Sequence, residues 1–235
     1  MSYQWLLLDA DGTVLDYDSA EAAALEKAFT QAGHPYRPAY RQVYRQINGE
    51  MWQLYERGEL SPDEVKVRRF QHLFAEIDVV IDPHVFSRIY LAHLAEEAEF
   101  IPGARALLET LHGQIGMVII TNGLGDVQRR RFSKSGVEKY VMDVVISDEV
   151  GASKPDSRIF DVAFERMGNP RREEVLIVGD SLTSDIGGGS AYGIDTCWYN
   201  PVGRERPADA AICYEIKALS ELEAILTGKG RGSTE

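Results

Sequence analysis

Cysteine is nearly absent: Cys197 and Cys213 are the two in a chain of 235 residues. Two cysteines allow at most one disulfide. Both cysteines fall in apolar, strand-like segments and read as reduced core thiols of a cytoplasmic protein. No apolar run approaches the roughly 20 residues that a membrane span needs. The N-terminus has no basic segment followed by an apolar one, so no secretory leader is expected. Positive charge is also scarce, with 25 Lys and Arg against 37 Asp and Glu, a formal net charge of −12. A nucleic-acid polymer binds through clustered cations and is excluded as a partner, and no membrane partner is expected. A small anion is still admissible where positive charge is locally concentrated.

What is present is ordinary for a soluble globular chain: 44% hydrophobic and 26% charged residues. The length suffices for one well-filled core and a smaller second unit. A short apolar run at 5–8 and further runs at 117–121, 144–147, 175–179, 196–199 and 211–214 read as strands. Between them lie helical patterns. In 157–167 the apolar residues Ile159, Phe160, Val162, Ala163, Phe164 and Met167 recur at helical spacing. Strands alternating with helices predict βαβ units and a mostly parallel sheet.

Residues 16–96 read differently, with helix signals and almost no strand signals. Asp18 with Glu21 suits a capping box, and Gly33 suits the stop of that helix. Ser61-Pro62-Asp63-Glu64 combines an N-cap, a proline at the first helical position and acidic first-turn residues. Asp82-Pro83 opens another helix in the same way. The expected architecture is α/β: a Rossmann-like, doubly wound, mostly parallel sheet formed by 1–15 and 97–226, with 16–96 inserted as a helical cap. Residues 227–235 are Gly-rich and polar and read as a frayed tail.

Ligands of an open parallel sheet bind where the loops after its strands cluster, so the residues at those places carry the chemistry. Asp9 and Asp11 follow the first strand and share a side of the extended chain. Like charges so close each raise the other's pKa unless a cation joins them or one keeps a proton. Thr121-Asn122-Gly123 ends the second strand, Lys154-Pro155 lies beyond the third, and Gly179-Asp180-Ser181 with Asp185 closes the fourth. Singly, each has a bland reading: an Asp-Gly turn, another turn, a solvated lysine, a helix cap. Together they make a divalent-cation site facing an anion site.

DADGT (9–13), TNG (121–123), SKP (153–155) and GDSLTSD (179–185) resemble the four motifs of the haloacid dehalogenase-like phosphohydrolases. The likeness spans nearly the whole chain, and the helical insert sits where that superfamily places a cap. It implies a Mg²⁺ bound by the Asp9 carboxylate, the Asp11 backbone carbonyl and Asp180, with Asp185 nearby or acting through water. It further implies that Asp9 attacks phosphorus to give an aspartyl-phosphate and that Asp11, its pKa raised by its neighbour, is the acid and base. Thr121, Asn122 and Lys154 would hold the phosphoryl oxygens.

A calcium loop does not fit, because glycine there comes sixth and Gly12 is fourth from Asp9. Gly187, Gly188 and Gly189 make no dinucleotide fingerprint and suit close helix packing instead. Within the superfamily the chain is most similar to the bacterial pyrimidine 5′-nucleotidase branch, through DADGT, MWQLYERGEL, VISDEVGASKPDSRIF and DTCWYNP. That likeness implies a nucleoside monophosphate substrate. A phosphoglycolate or sugar-phosphate phosphatase or mutase shares all four motifs. A receiver-like phospho-acceptor module is the alternative of another class, which the insert disfavours. In the cap, Trp52 and Tyr55 are candidates for substrate specificity, with a ring stacking on a flat base. The competing reading is that, three apart, they pack the cap's own helices.

Overall fold

Short, continuously apolar runs form strands buried on both faces, the pattern of a parallel sheet covered by helices. In the computed structural model, which describes residues 3–227, six strands build one sheet. They are β1 (Trp5–Leu8), β2 (Gly116–Thr121), β3 (Asp143–Ile146), β4 (Val175–Gly179), β5 (Asp195–Tyr199) and β6 (Tyr214–Ile216). The order is β3-β2-β1-β4-β5-β6, and every pairing is parallel. Leu8 of β1 lies level with Ile119 on one side and Val178 on the other. β1 and β4 therefore flank the point where the strand order reverses, which is where doubly wound sheets bind their ligands.

The chain divides into two units. The first holds the described residues of Met1–Asp16, Glu99–Gly125 and Ser135–Glu235. With the sheet it carries α5 (Ala104–Leu111), α7 (Ser147–Val150), α8 (Ser157–Arg166), α9 (Gly188–Tyr192) and α10 (Leu222–Leu226). Asp156 starts α8 by accepting the Arg158 N–H at 2.9 Å. Ile159, Phe160 and Ala163 then pack against Leu7, Val118, Ile120 and Ile177 of the sheet. A side chain at Gly189 would collide with Ile177, so the glycine run does permit close packing.

The second unit is Tyr17–Ala98 with Asp126–Lys134. Its helices are α1 (Tyr17–Gln31), α2 (Pro38–Glu56), α3 (Pro62–Glu76), α4 (Pro83–Leu94) and most of α6 (Gly125–Ser135). Ser61 and Glu64 cap α3 reciprocally, at 3.3 and 2.9 Å. Asp82 caps α4 through the His84 and Val85 N–H groups. Phe29, Tyr44, Phe70, Phe86 and Tyr90, all fully buried, form the aromatic interior. No helix among the described residues is long and apolar enough to cross a membrane.

Four expectations need correction. Asp18 does not cap α1, which already begins at Tyr17. It sits in the first turn and pairs with Arg41 and Arg45 at 2.7 Å, while Glu21 is buried. Ser147 begins α7 instead of ending β3. The last strand is Tyr214–Ile216, not 211–214, because Ala211 and Cys213 are held by a side chain: Thr196 Oγ1 donates to the Ala211 carbonyl at 2.7 Å and accepts the Cys213 N–H at 3.2 Å. Cys213 is consequently exposed, though both cysteines are free thiols and Cys197 is buried. Of the expected tail, Thr227 ends α10 and the rest lies outside the described residues.

Candidate active site

Asp9 is the first residue past β1, and its N–H still follows the sheet, donating to the Val178 carbonyl at 2.9 Å. Its buried side chain meets Lys154, whose Nζ donates to Asp9 Oδ1 at 2.7 Å, Asp185 Oδ1 at 2.6 Å and the Ile120 carbonyl at 2.8 Å. An ammonium has three donors, and all are used. Complete pairing is what makes so deep a burial of charge tolerable. Asn122, just past β2, brackets the lysine's backbone: its Nδ2 donates to the Lys154 carbonyl and its Oδ1 accepts the Lys154 N–H, both at 2.8 Å. Thr121 is buried at the end of β2, where its hydroxyl accepts the Gly123 N–H at 3.1 Å.

Asp180 follows β4 and Asp185 lies in the π-helical turn Leu182–Gly187. Asp185 uses both oxygens, one for Lys154 and the other for the Ser181 N–H at 3.0 Å. Two glycines make room. Gly12 has φ of +88°, and a Cβ there would stand 3.1 Å from the Asp180 carboxylate, while a side chain at Gly179 would run into the Asp185 carboxyl. Asp9, Asp180 and Asp185 each present an oxygen within 4.8 Å of the others. Asp9 Oδ2 is buried and has no hydrogen-bond partner among the described residues. Asp11 is half-buried in the loop beyond, paired as a bridge with Leu15.

Burial pushes the Asp9 carboxyl well above the usual range, opposed by Lys154 and reinforced by Asp185 and Asp180. Burial, and then Asp185, push Asp180 up to about 6, against Arg204 and Lys154. Burial alone would lower Lys154, but Asp185 and Asp9 hold it above its ordinary value. Three clustered carboxylates thus face one ammonium that pairs with two of them, an excess of negative charge on oxygen donors. A hard divalent cation such as Mg²⁺ fits that donor set and the unpartnered Asp9 Oδ2.

Residues 6–199 match the haloacid dehalogenase-like hydrolase family model. The chain belongs to this family. It is 37% identical over 224 residues to the HAD-hydrolase YfnB of Bacillus subtilis, covering 95% of each chain. It is 34% identical to the pyrimidine 5′-nucleotidase YjjG of Escherichia coli, over 96% of this chain and 99% of that one. With the pyrimidine 5′-nucleotidase PynA of Streptococcus pneumoniae it shares 33% identity over 94% of each. A crystal structure of YfnB bound to magnesium matches its fold with a TM-score of 0.90 at 36% identity, over 96% of this chain and 99% of that one. A receiver-like module is set aside.

In this haloacid dehalogenase-like hydrolase, Asp9, Lys154, Asp180 and Asp185 come together at one end of the sheet, with Thr121 and Asn122 at the neighbouring strand end. Trp52 and Tyr55 lie in the helical unit, ring centres 5.5 Å apart and edge-on, against Met51, Leu60 and Val65. That contact supports the packing reading. Three contributors were not foreseen. Trp198 and Arg204 both donate to the Asp180 carbonyl, and Asn200 holds the Arg204 backbone. Asn200-Pro201 after β5 marks a loop, but nothing in a residue pattern shows that a later arginine turns back.

Proposed function

We propose that this hydrolase is a Mg²⁺-dependent phosphomonoesterase that cleaves nucleoside 5′-monophosphates, pyrimidine nucleotides foremost, through an aspartyl-phosphate on Asp9. The observation that carries the chemistry is the buried, unpartnered Asp9 Oδ2 among three carboxylates and a single ammonium. The Asp9 carboxylate, the Asp11 backbone carbonyl and Asp180 would hold Mg²⁺, with Asp185 oriented behind them by Lys154 and Ser181. When bound, the cation offsets the carboxylate charge and draws electron density from the phosphoryl oxygens.

Asp9 attacks phosphorus, the ester oxygen departs with a proton from Asp11, and the nucleoside leaves as an alcohol. Water then attacks the acyl phosphate, Asp11 takes its proton, and inorganic phosphate and the Asp9 carboxylate result. Lys154 keeps Asp9 oriented, and with Thr121 and Asn122 it faces the spreading phosphoryl charge. The nucleotide substrate is supported by the two pyrimidine 5′-nucleotidases aligned with nearly the whole chain.

Phosphate release from dUMP, dTMP, UMP, AMP, phosphoglycolate and hexose phosphates, each with Mg²⁺ and with EDTA, tests both parts. EDTA-sensitive turnover highest on pyrimidine monophosphates is the expected result. A preference for phosphoglycolate or a hexose phosphate would keep the chemistry and discard the nucleotidase assignment. No release from any of them would discard both.

A further inference from the structure

The peptide joining Asp180 to Ser181 is gripped at both ends. Its carbonyl accepts from the Trp198 indole N–H at 3.1 Å and from Arg204 Nη2 at 2.6 Å. Its N–H donates to Asp185 Oδ2 at 3.0 Å. A peptide is planar, so fixing both its polar groups fixes its plane and the Asp180 Cα from which the carboxylate projects. Trp198 is fully buried on β5, directly beside Gly179 in the strand register.

Arg204 is an exposed loop residue, yet it is held like a core one. Its guanidinium lies over the Trp198 ring, 5.3 Å from the centre. Asn200, fully buried, accepts the Arg204 N–H at 2.8 Å and donates to the Arg204 carbonyl at 2.9 Å and to Glu215 at 2.7 Å. A loop pinned by a buried amide places the arginine in one position. A planar fork can give an edge to a carbonyl and a face to a ring at once, which a lysine cannot.

We infer that Arg204, bracketed by Asn200 and stacked on Trp198, is a positioning residue that aims the Asp180 carboxylate for divalent-cation binding. This rests on the proposed role of Asp180 as a cation ligand. The contact of Arg204 with the cluster is the hydrogen bond from its Nη2 to the Asp180 carbonyl. It acts through one backbone carbonyl, as the outer partners of metal ligands commonly do.

Binding of Mn²⁺ alone, read by the loss of free-ion electron paramagnetic resonance signal, tests the inference with the parent, R204A, R204K and D180N. R204A should weaken Mn²⁺ binding about 10- to 100-fold, with R204K between it and the parent. The thermal midpoint in EDTA should fall only slightly for R204A, through the loss of one hydrogen bond and one exposed cation–π contact. R204A binding Mn²⁺ like the parent while D180N has lost it would overturn the inference alone. D180N binding like the parent would overturn the cation site itself, and the inference with it.

Discussion

Lys154, at the end of the sheet, buries an ammonium whose three protons are all taken by two carboxylates and a carbonyl. Arg69, inside the helical unit, buries a guanidinium whose Nε and Nη2 meet no acceptor among the described residues. Its Nη1 reaches Asn48 Oδ1 at 3.2 Å, and its charge otherwise rests on the rings of Phe70 and Tyr90, 5.1 and 5.0 Å away. A carboxylate near that group, Glu21, is joined to it by the Asn48 amide, at 3.5 Å. The difference follows from the two architectures. Loops from separate parallel strands can aim full charges at one point. Helices presenting whole faces supply ring faces and amides more readily, and a cation–π contact tolerates a desolvated charge without a counter-ion. The first arrangement concentrates charge for chemistry, and the second accommodates it.

The largest effect expected at the sheet edge is catalytic. Asp9→Asn should retain the fold and lower kcat by about 10⁴-fold or more, as removal of a nucleophile does, with pyrimidine monophosphates as substrate. Substantial residual turnover would remove Asp9 from its role. Next comes Lys154→Met, which leaves Asp9 and Asp185 buried without their cation. Urea denaturation in EDTA should show a loss of about 3 to 5 kcal/mol. A much smaller loss would mean that the three charged groups do not form one interdependent cluster, and the contrast with Arg69 would weaken.

The sequence reveals the sheet edge better than the helical interior, for physical reasons. Strands buried on both faces must be continuously apolar, so β1, β2, β3, β4 and β5 appear in the sequence within a residue of their ends, and the polar residues that follow them stand out. β6 does not, because Ala211, Ile212 and Cys213 form an equally apolar run whose backbone is tied to the Thr196 hydroxyl. Asp18 beside an apolar pattern signals a helix start but does not distinguish a cap from a first-turn acid. Glu21, Asn48 and Arg69 sit on three helices at ordinary spacing, and only the folded bundle makes them one group. Arg204 is the hardest case, since it acts on a carbonyl that every residue possesses.

Protonation of Glu21 sharpens the comparison at a smaller scale. Burial pushes its carboxyl up to about 7 from 4.5, against the pull of Arg45, Arg41 and Arg69. Between those values the folded chain holds a proton that the unfolded chain has released. Its contribution is therefore full below the lower value, lost as pH rises through the window and gone above about 7. Glu21→Gln should abolish that decline, a difference of about 3 kcal/mol between pH 4 and 8 relative to the parent. Chemical denaturation across pH measures it, and identical slopes for the two proteins would show that Glu21 titrates normally.

The smallest effect is the sharpest discriminator. Arg69→Met keeps the apolar stem of the side chain and removes the guanidinium with its charge. It forfeits one neutral-acceptor hydrogen bond and the ring contacts, and it also relieves two buried donors of their desolvation. At pH 5.5 Glu21 is mostly protonated, so no ionised partner is stranded. The net change in urea denaturation should then lie within about 1 kcal/mol of the parent, far below the Lys154→Met loss. At pH 8 the ionised Glu21 has lost one of the cations that offset its burial, so the cost of Arg69→Met should grow. In the double variant with Glu21→Gln that growth should vanish, because the pH-dependent part of their coupling is the carboxylate charge. A pH-independent loss as large as that of Lys154→Met would instead mean that Arg69 is bound as tightly as the lysine, and the two centres would then be alike.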